Sequence, residues 1–199
     1  MNPVVDVPQR RRRRYTASSI TSCAQKLMVE HGLDGFTLDD LATCAGVSRR
    51  TLFNYFPGKL DAVVGVKPEL PAQDEAEFTA GGPTGDLVED VIFMVRRLVD
   101  TGELTPIELA RTRQVLAAEP RLIVHASERL EHDCEHMADL LLQRRGARLD
   151  RDQAELLVRV LACSIDAALS RFLSLPEGSE RSWADVLTDT IRDVRDLFR

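Results

Sequence analysis

The sequence is poor in aromatic residues, with two Tyr, seven Phe and a single Trp in 199 positions. Sheets rely on aromatic and β-branched pairs between strands, so this scarcity argues against a sandwich or barrel. No run of about 18 apolar residues is present, which gives no sign of a membrane-spanning helix. Arginines occupy the N-terminal stretch where a secretion signal needs apolar residues, so a cytoplasmic protein with no membrane partner is expected. Only four cysteines occur, Cys23, Cys44, Cys134 and Cys163, and none forms a C-x-x-C pair. That spacing indicates neither a disulfide framework nor a zinc site, and the thiols read as reduced and mostly buried. Oxidation sensing by Cys23 or Cys44 is disfavoured because both fall on apolar helical faces. No P-loop, G-x-S-x-G elbow or H-E-x-x-H stretch is found. Hence no catalytic residue, cofactor or metal is assigned, and the chain does not read as an enzyme. His132 and His136 stand four apart near Glu135 and Asp139, but Cys134 points elsewhere on that helix, and a solvated polar face is the simpler reading.

Acid exceeds base overall, for a net charge of −6, yet the excess is unevenly spread. Up to residue 67 there are ten Lys or Arg against six Asp or Glu, whereas beyond it 16 face 26. The first third suits phosphates and the remainder repels them. Apolar residues make up 44% of the chain. An all-α fold of about nine helices is expected.

Residues 1–15 read as a flexible arm whose Arg10, Arg11, Arg12, Arg13 and Arg14 cannot pack against one another. From about Thr16, the residues Ile20, Cys23, Ala24, Leu27, Met28 and His31 recur at helical spacing until Gly32 stops the helix. Thr37 and Asp40 form an N-terminal capping pattern for a short helix buried through Leu38, Leu41, Ala42 and Ala45. Gly46 ends it, and Ser48 caps another, in which Leu52, Phe53 and Phe56 are expected to point inward. Two short helices joined by a glycine-containing turn make a helix-turn-helix, here within a DNA-binding domain spanning 16–66. The Pro- and Gly-rich stretch 67–85 reads as a loop or linker. Residues 86–199 read as a second helical domain.

The run Thr37-Leu38-x-x-Leu41-Ala42-x-x-Ala45-Gly46-Val47-Ser48-x-x-Thr51-Leu52-Phe53-x-Tyr55-Phe56-x-x-Lys59 resembles the signature of the tetracycline-repressor-like (TetR) family over the first third of the chain. The chemistry agrees with that resemblance. Small Ala42, Ala45 and Gly46 allow close helix crossing, and outward Arg49 and Arg50 can reach guanine edges in a major groove, with Asn54 following. Thr37, Ser48, Thr51, Tyr55 and Lys59 suit phosphate oxygens, and the resemblance implies the same role for them. Arg10 to Arg14 extend the set as an arm toward phosphates or a minor groove. The family usually has Gly where Arg50 stands, and Ser-Lys-Glu where this chain has Gly58-Lys59-Leu60, so Arg50 reads either a base or a phosphate. Taken one at a time, these residues read equally well as helix caps and a solvated face, and the arm as a solvated tail.

The resemblance further implies a homodimer on double-stranded operator DNA and an apolar small-molecule effector held between about residues 86 and 175. Phe93, Met94, Leu116, Met137 and Phe172 are the candidate pocket residues. Leu157, Leu161, Ile165, Ala168, Trp183, Leu187, Ile191 and Val194 are the candidate dimer contacts, on two helices too apolar to be exposed; burial inside a monomer is the alternative. A repressor released by its effector is the expected function. An activator of the same fold and a helical RNA-binding or interaction protein are the alternatives.

Overall fold

A computed structural model describes residues 7–197. Among these residues there are ten helices and no strand: α1 (Val7–His31), α2 (Leu38–Ala45), α3 (Arg49–Tyr55), α4 (Lys59–Val64), α5 (Ala72–Thr79), α6 (Leu87–Asp100), α7 (Pro106–Ala118), α8 (Pro120–Gln143), α9 (Arg151–Leu173) and α10 (Trp183–Asp196). None of them is long and apolar enough to cross a membrane. The chain divides into two compact units, residues 1–67 with 110–128, and residues 68–109 with 129–199.

The first unit is built around the apolar face of α1. Ile20, Ala24 and Met28 pack with Leu41 and Ala42 of α2, Leu52 of α3, Phe56, and Ala62 and Val63 of α4. Val115 and Leu122 join the same core, so the later part of α7 and the first part of α8 pack within this unit. That corrects the expected boundary at residue 66, because sequence periodicity marks where helices lie and not which ones share a core. Gln25 shows how these helices are tied. Buried on α1, it donates to the Val63 carbonyl at 3.1 Å and to the Thr112 hydroxyl at 3.2 Å, spanning α1, α4 and α7. Gly65, which follows α4, has φ +97° and faces Thr21 Cγ2 at 3.1 Å from where a Cβ would stand, so both backbone and space favour glycine there.

Two further expectations are corrected. Arg10 to Arg14 lie inside α1, where the sequence reading places a flexible arm; residues 1–6 of that arm lie outside the described residues. The run continues directly into a helix-forming segment, and arginine is itself a good helix former. Within the predicted 67–85 loop, α5 forms between Pro71 and Ala80. Pro71 sits at its N-cap, a position that leaves the helix intact, and Phe78 is buried on its inner face. This helix accounts for the count of ten where about nine are expected.

The second unit has two apolar clusters. One gathers Ile92 and Val95 of α6, Leu104, Ala168 and Leu169 of α9, and Trp183, Leu187 and Ile191 of α10. Its aromatic centre is an edge-to-face pair of Phe172 and Trp183 with ring centroids 5.6 Å apart, and the Trp183 indole N–H donates to the Leu104 carbonyl at 3.3 Å. The other cluster packs Phe78, Val91, Met94, Ala138, Leu140, Leu141 and Ala154. Beside it lies a buried ion pair between Asp90 and Arg144. Asp90, fully buried, also accepts the Thr84 N–H at 2.7 Å and the Thr84 hydroxyl at 2.6 Å, while the Arg144 guanidinium stands 5.2 Å from the centre of the Phe78 ring.

A buried charge that loses its partner is far more costly than the pair is beneficial, by about 3–5 kcal/mol. Asp90→Ala is therefore expected to destabilise the second unit by about that much in urea unfolding followed by circular dichroism. Asp90→Leu combined with Arg144→Met is expected to recover most of the loss, since both buried charges are then gone.

Candidate nucleic-acid interface

The interface begins with a pair of helix ends. At the start of α2, the Thr37 hydroxyl accepts the Asp40 N–H at 3.2 Å, and the Thr37 N–H donates to the Asp40 carboxylate at 2.8 Å, closing a capping box. The same hydroxyl donates to that carboxylate at 2.7 Å. At its other end, Gly46 adopts φ +64° and ends the helix by donating to the Ala42 and Thr43 carbonyls. A left-handed residue here turns the chain within two positions, and glycine takes that conformation without steric penalty. Ser48 then caps α3, accepting the Thr51 N–H at 3.0 Å with its hydroxyl 2.8 Å from that of Thr51.

Helix α3 is thereby held on one side and open on the other. Leu52 is fully buried, Phe56 is buried just beyond the helix, and Thr51 and Tyr55 are half-buried. Arg49, Arg50, Phe53 and Asn54 are exposed. Their spacing, with 49 and 53 on one line and 50 and 54 on the next, makes a single outward face. Phe53 is the departure from expectation, being 45% exposed and not inward. Leu52 already occupies the one direction into the core, and Phe53 lies about 100° around the helix from it.

The arginines of this face differ. Arg49 donates from Nη1 to both carboxylate oxygens of Asp39 on α2, each at 3.0 Å, and its guanidinium stands 5.8 Å from the Phe53 ring centre. Such an exposed pair contributes only about 0–1 kcal/mol, so it orients Arg49 without removing it from other partners. Arg50 and Asn54 are exposed one position further round. Lys59 is drawn inward, its ammonium donating to the Phe36 carbonyl at 2.8 Å and lying 4.7 Å from the Phe36 ring centre. Residue type at position 59 suggests a phosphate contact; the structure gives it a second task, pinning the start of α4 to the loop before α2. Further back on α1, Arg11, Arg12 and Arg13 are exposed and Arg14 is half-buried, while the side chain of Arg10 lies outside the described residues. Neither the Asp39 clamp nor the Phe36 contact has a sequence signature, because their partners are ten and 23 positions apart.

A helix-turn-helix with an outward basic face is now defined by geometry, and its sequence agrees with a known family. Residues 20–62 match the model of bacterial regulatory proteins, tetR family. Over that segment the chain is similar to the tetR family. Over 49 residues it is 43% identical to a protein of Mycobacterium tuberculosis (strain H37Rv) named as a mycofactocin biosynthesis transcriptional regulator, MftR. That match spans a quarter of the length of the relative and 25% of this chain. The architecture is similar to the crystal structure of a protein from Mesorhizobium loti MAFF303099 described as a TetR-family transcriptional regulator. The TM-score is 0.50 at 17% identity, covering 94% of this chain and 98% of that one. The matched segment runs from Ile20 in α1 through α2 and α3 to Ala62 in α4.

The residues expected to line a pocket are distributed over three apolar clusters. Leu116 packs on the core of the first unit, Met94 and Met137 belong to one cluster of the second, and Phe172 belongs to the other. Phe93 is half-buried. Among the residues expected at a dimer contact, Ala168, Trp183, Leu187 and Ile191 are buried in the chain's own core, with Leu161 and Ile165 packed against them. Leu157 borders the other cluster and Val194 is half-buried. Apolar content marks these helices as packed, and most of the named residues pack within the chain.

Hydrogen bonds from the Thr37 hydroxyl first, and then its backbone N–H, hold the Asp40 carboxyl below its ordinary pKa. A depressed carboxyl pKa adds stability that is complete above the unfolded value and lost as pH falls through the folded one. Thr37→Ala is expected to move the Asp40 titration upward toward the ordinary carboxylate range in carboxyl-carbon NMR, and to cost about 1 kcal/mol of stability at neutral pH through the lost cap.

Proposed function

We propose that this protein is a DNA-binding transcriptional regulator, a repressor whose first unit grips a palindromic operator and whose second unit carries dimerisation and effector binding. The observation that carries this reading is the outward face of α3, where Arg49, Arg50 and Asn54 stand together on a short helix whose other side is locked by Leu52. Arginine pairs bidentately with the guanine O6 and N7 acceptors, and asparagine pairs with adenine N6 and N7. Asp39 holds the Arg49 guanidinium in one orientation before DNA arrives, which lowers the entropy lost on docking. The caps Thr37 and Ser48, together with the exposed arginines of α1, supply positions for phosphate contacts.

The dimer contact is assigned to the side of α9 that the chain leaves uncovered. Leu156 is 62% exposed, and Cys163 and Ala167 are exposed on the same helical line. A second copy covering that stripe would bring two recognition helices into one dimer, as a palindromic operator requires. Effector release then requires two dimer shapes and a ligand that prefers the one unable to bind, with a coupling of about 1–3 kcal/mol. Val115 of α7 and Leu122 of α8 belong to the core on which α3 rests.

Selection of duplexes from a random pool, followed by affinity measurement on the winner, tests the central reading. Arg49→Ala with Arg50→Ala is expected to remove sequence-selective binding, a loss of about 1–3 kcal/mol per base contact, whereas Asp39→Ala is expected to leave or raise affinity while weakening discrimination. Retention of full selectivity by the double variant would refute it. Sedimentation equilibrium tests the dimer separately: Leu156→Glu with Ala167→Glu is expected to give a folded monomer, and an unchanged dimer would exclude this face.

A further inference from the structure

Arginine and asparagine give the outward face of α3 its hydrogen-bonding groups, and Phe53 interrupts them with a phenyl ring. Arg49 and Arg50 precede it by one turn and Asn54 follows it, all three exposed, while Phe53 itself is 45% exposed. A lone apolar side chain elsewhere on the surface would need no explanation. Here it occupies the surface that a groove has to accept. The Arg49 guanidinium lies 5.8 Å from the centre of the ring, near the outer limit of about 6 Å for a cation–π contact. Asp39 already fixes that guanidinium with two hydrogen bonds of 3.0 Å. The ring is therefore not needed to orient Arg49, and nearly half of Phe53 stays open to solvent.

We infer that Phe53 reads the 5-methyl group of a thymine, so that the site selects thymine close to the base that Arg49 contacts. This role rests on the proposed DNA-binding function of α3. A phenyl ring offers no conventional donor or acceptor, so it cannot hold a phosphate oxygen or match the polar groups of a base edge. Stacking on a base needs an unpaired or extruded one, which an intact duplex does not present. The thymine methyl is the apolar group that base edges place in the major groove, and phenylalanine is a suitable partner for it. Contact between the two removes apolar surface from water on both sides. Four residues of helix rise about 6 Å, and successive bases stand about 3.4 Å apart. The thymine therefore falls within about two base pairs of the base that Arg49 contacts.

The test uses the full-length protein and the duplex it selects from a random pool. Each thymine is replaced singly by deoxyuridine, which deletes the 5-methyl group and leaves pairing and the O4 acceptor intact. Replacing the contacted thymine is expected to weaken wild-type binding about fourfold, the effect of one buried methylene. Phe53→Ala is expected to bind the thymine and uracil duplexes equally well, with circular dichroism checking that the variant keeps its helices. A ring that merely supported α3 would, when removed, weaken both duplexes alike and leave their ratio as it was. Indifference of the wild-type protein to every thymine-to-uracil exchange overturns the inference without any variant having to fold, and leaves the DNA-binding reading standing. An unchanged preference for thymine in Phe53→Ala assigns the methyl contact to another residue and overturns it too. Failure of the wild-type protein to select any duplex overturns both readings together.

Discussion

Helix α3 is seven residues long, far below the length at which a helix holds its own shape in water. Its geometry is lent by what lies beneath and at its ends. Leu52 inserts fully into the core shared with Ile20, Leu41, Phe56 and Val63, and Ser48 supplies the cap. Every outward residue inherits its direction from that single inward one. The same dependence makes α2 more than a spacer, since its buried Leu41 and Ala42 are part of the floor on which Leu52 rests, and its exposed Asp39 reaches over to hold Arg49.

Charge in the first unit is arranged in two tiers. Inner contacts fix structure: Lys59 on the Phe36 carbonyl, Gln25 on the Val63 carbonyl, and His125 Nε2 at 2.9 Å from Asp61 Oδ1. Outer contacts such as Arg49 with Asp39 are exposed, weak and exchangeable. The second unit uses charge differently. Asp90 and Arg144 are buried together, and Glu89 on α6 accepts from both Arg192, at 2.8 Å, and Arg195, at 2.7 Å, on α10. Those pairs join elements of one unit.

Helices were largely legible in the sequence, as was the motif, because both are local. Capping at Thr37 and Ser48, the stop at Gly46, and the apolar spacing of α1, α6, α9 and α10 are each written within a few residues. The helix-turn-helix needs only a fixed succession of small, apolar and polar positions. By the same logic the all-helical class and the basic character of the first third follow from composition alone.

Tertiary structure decided what local pattern does not encode: which apolar faces meet, and which polar groups meet across distance. An apolar helix face reads the same whether it covers its own chain or another, so α9 and α10 were legible as apolar while the burial of Trp183, Leu187 and Ile191 within one chain was not. Phe53 and Leu52 are adjacent and both large, and only the position of α3 on the core sends one inward and the other to solvent. Arg49 with Asp39 and Lys59 with Phe36 are pairs brought together by the fold, and no spacing rule along the chain announces a contact between separate elements.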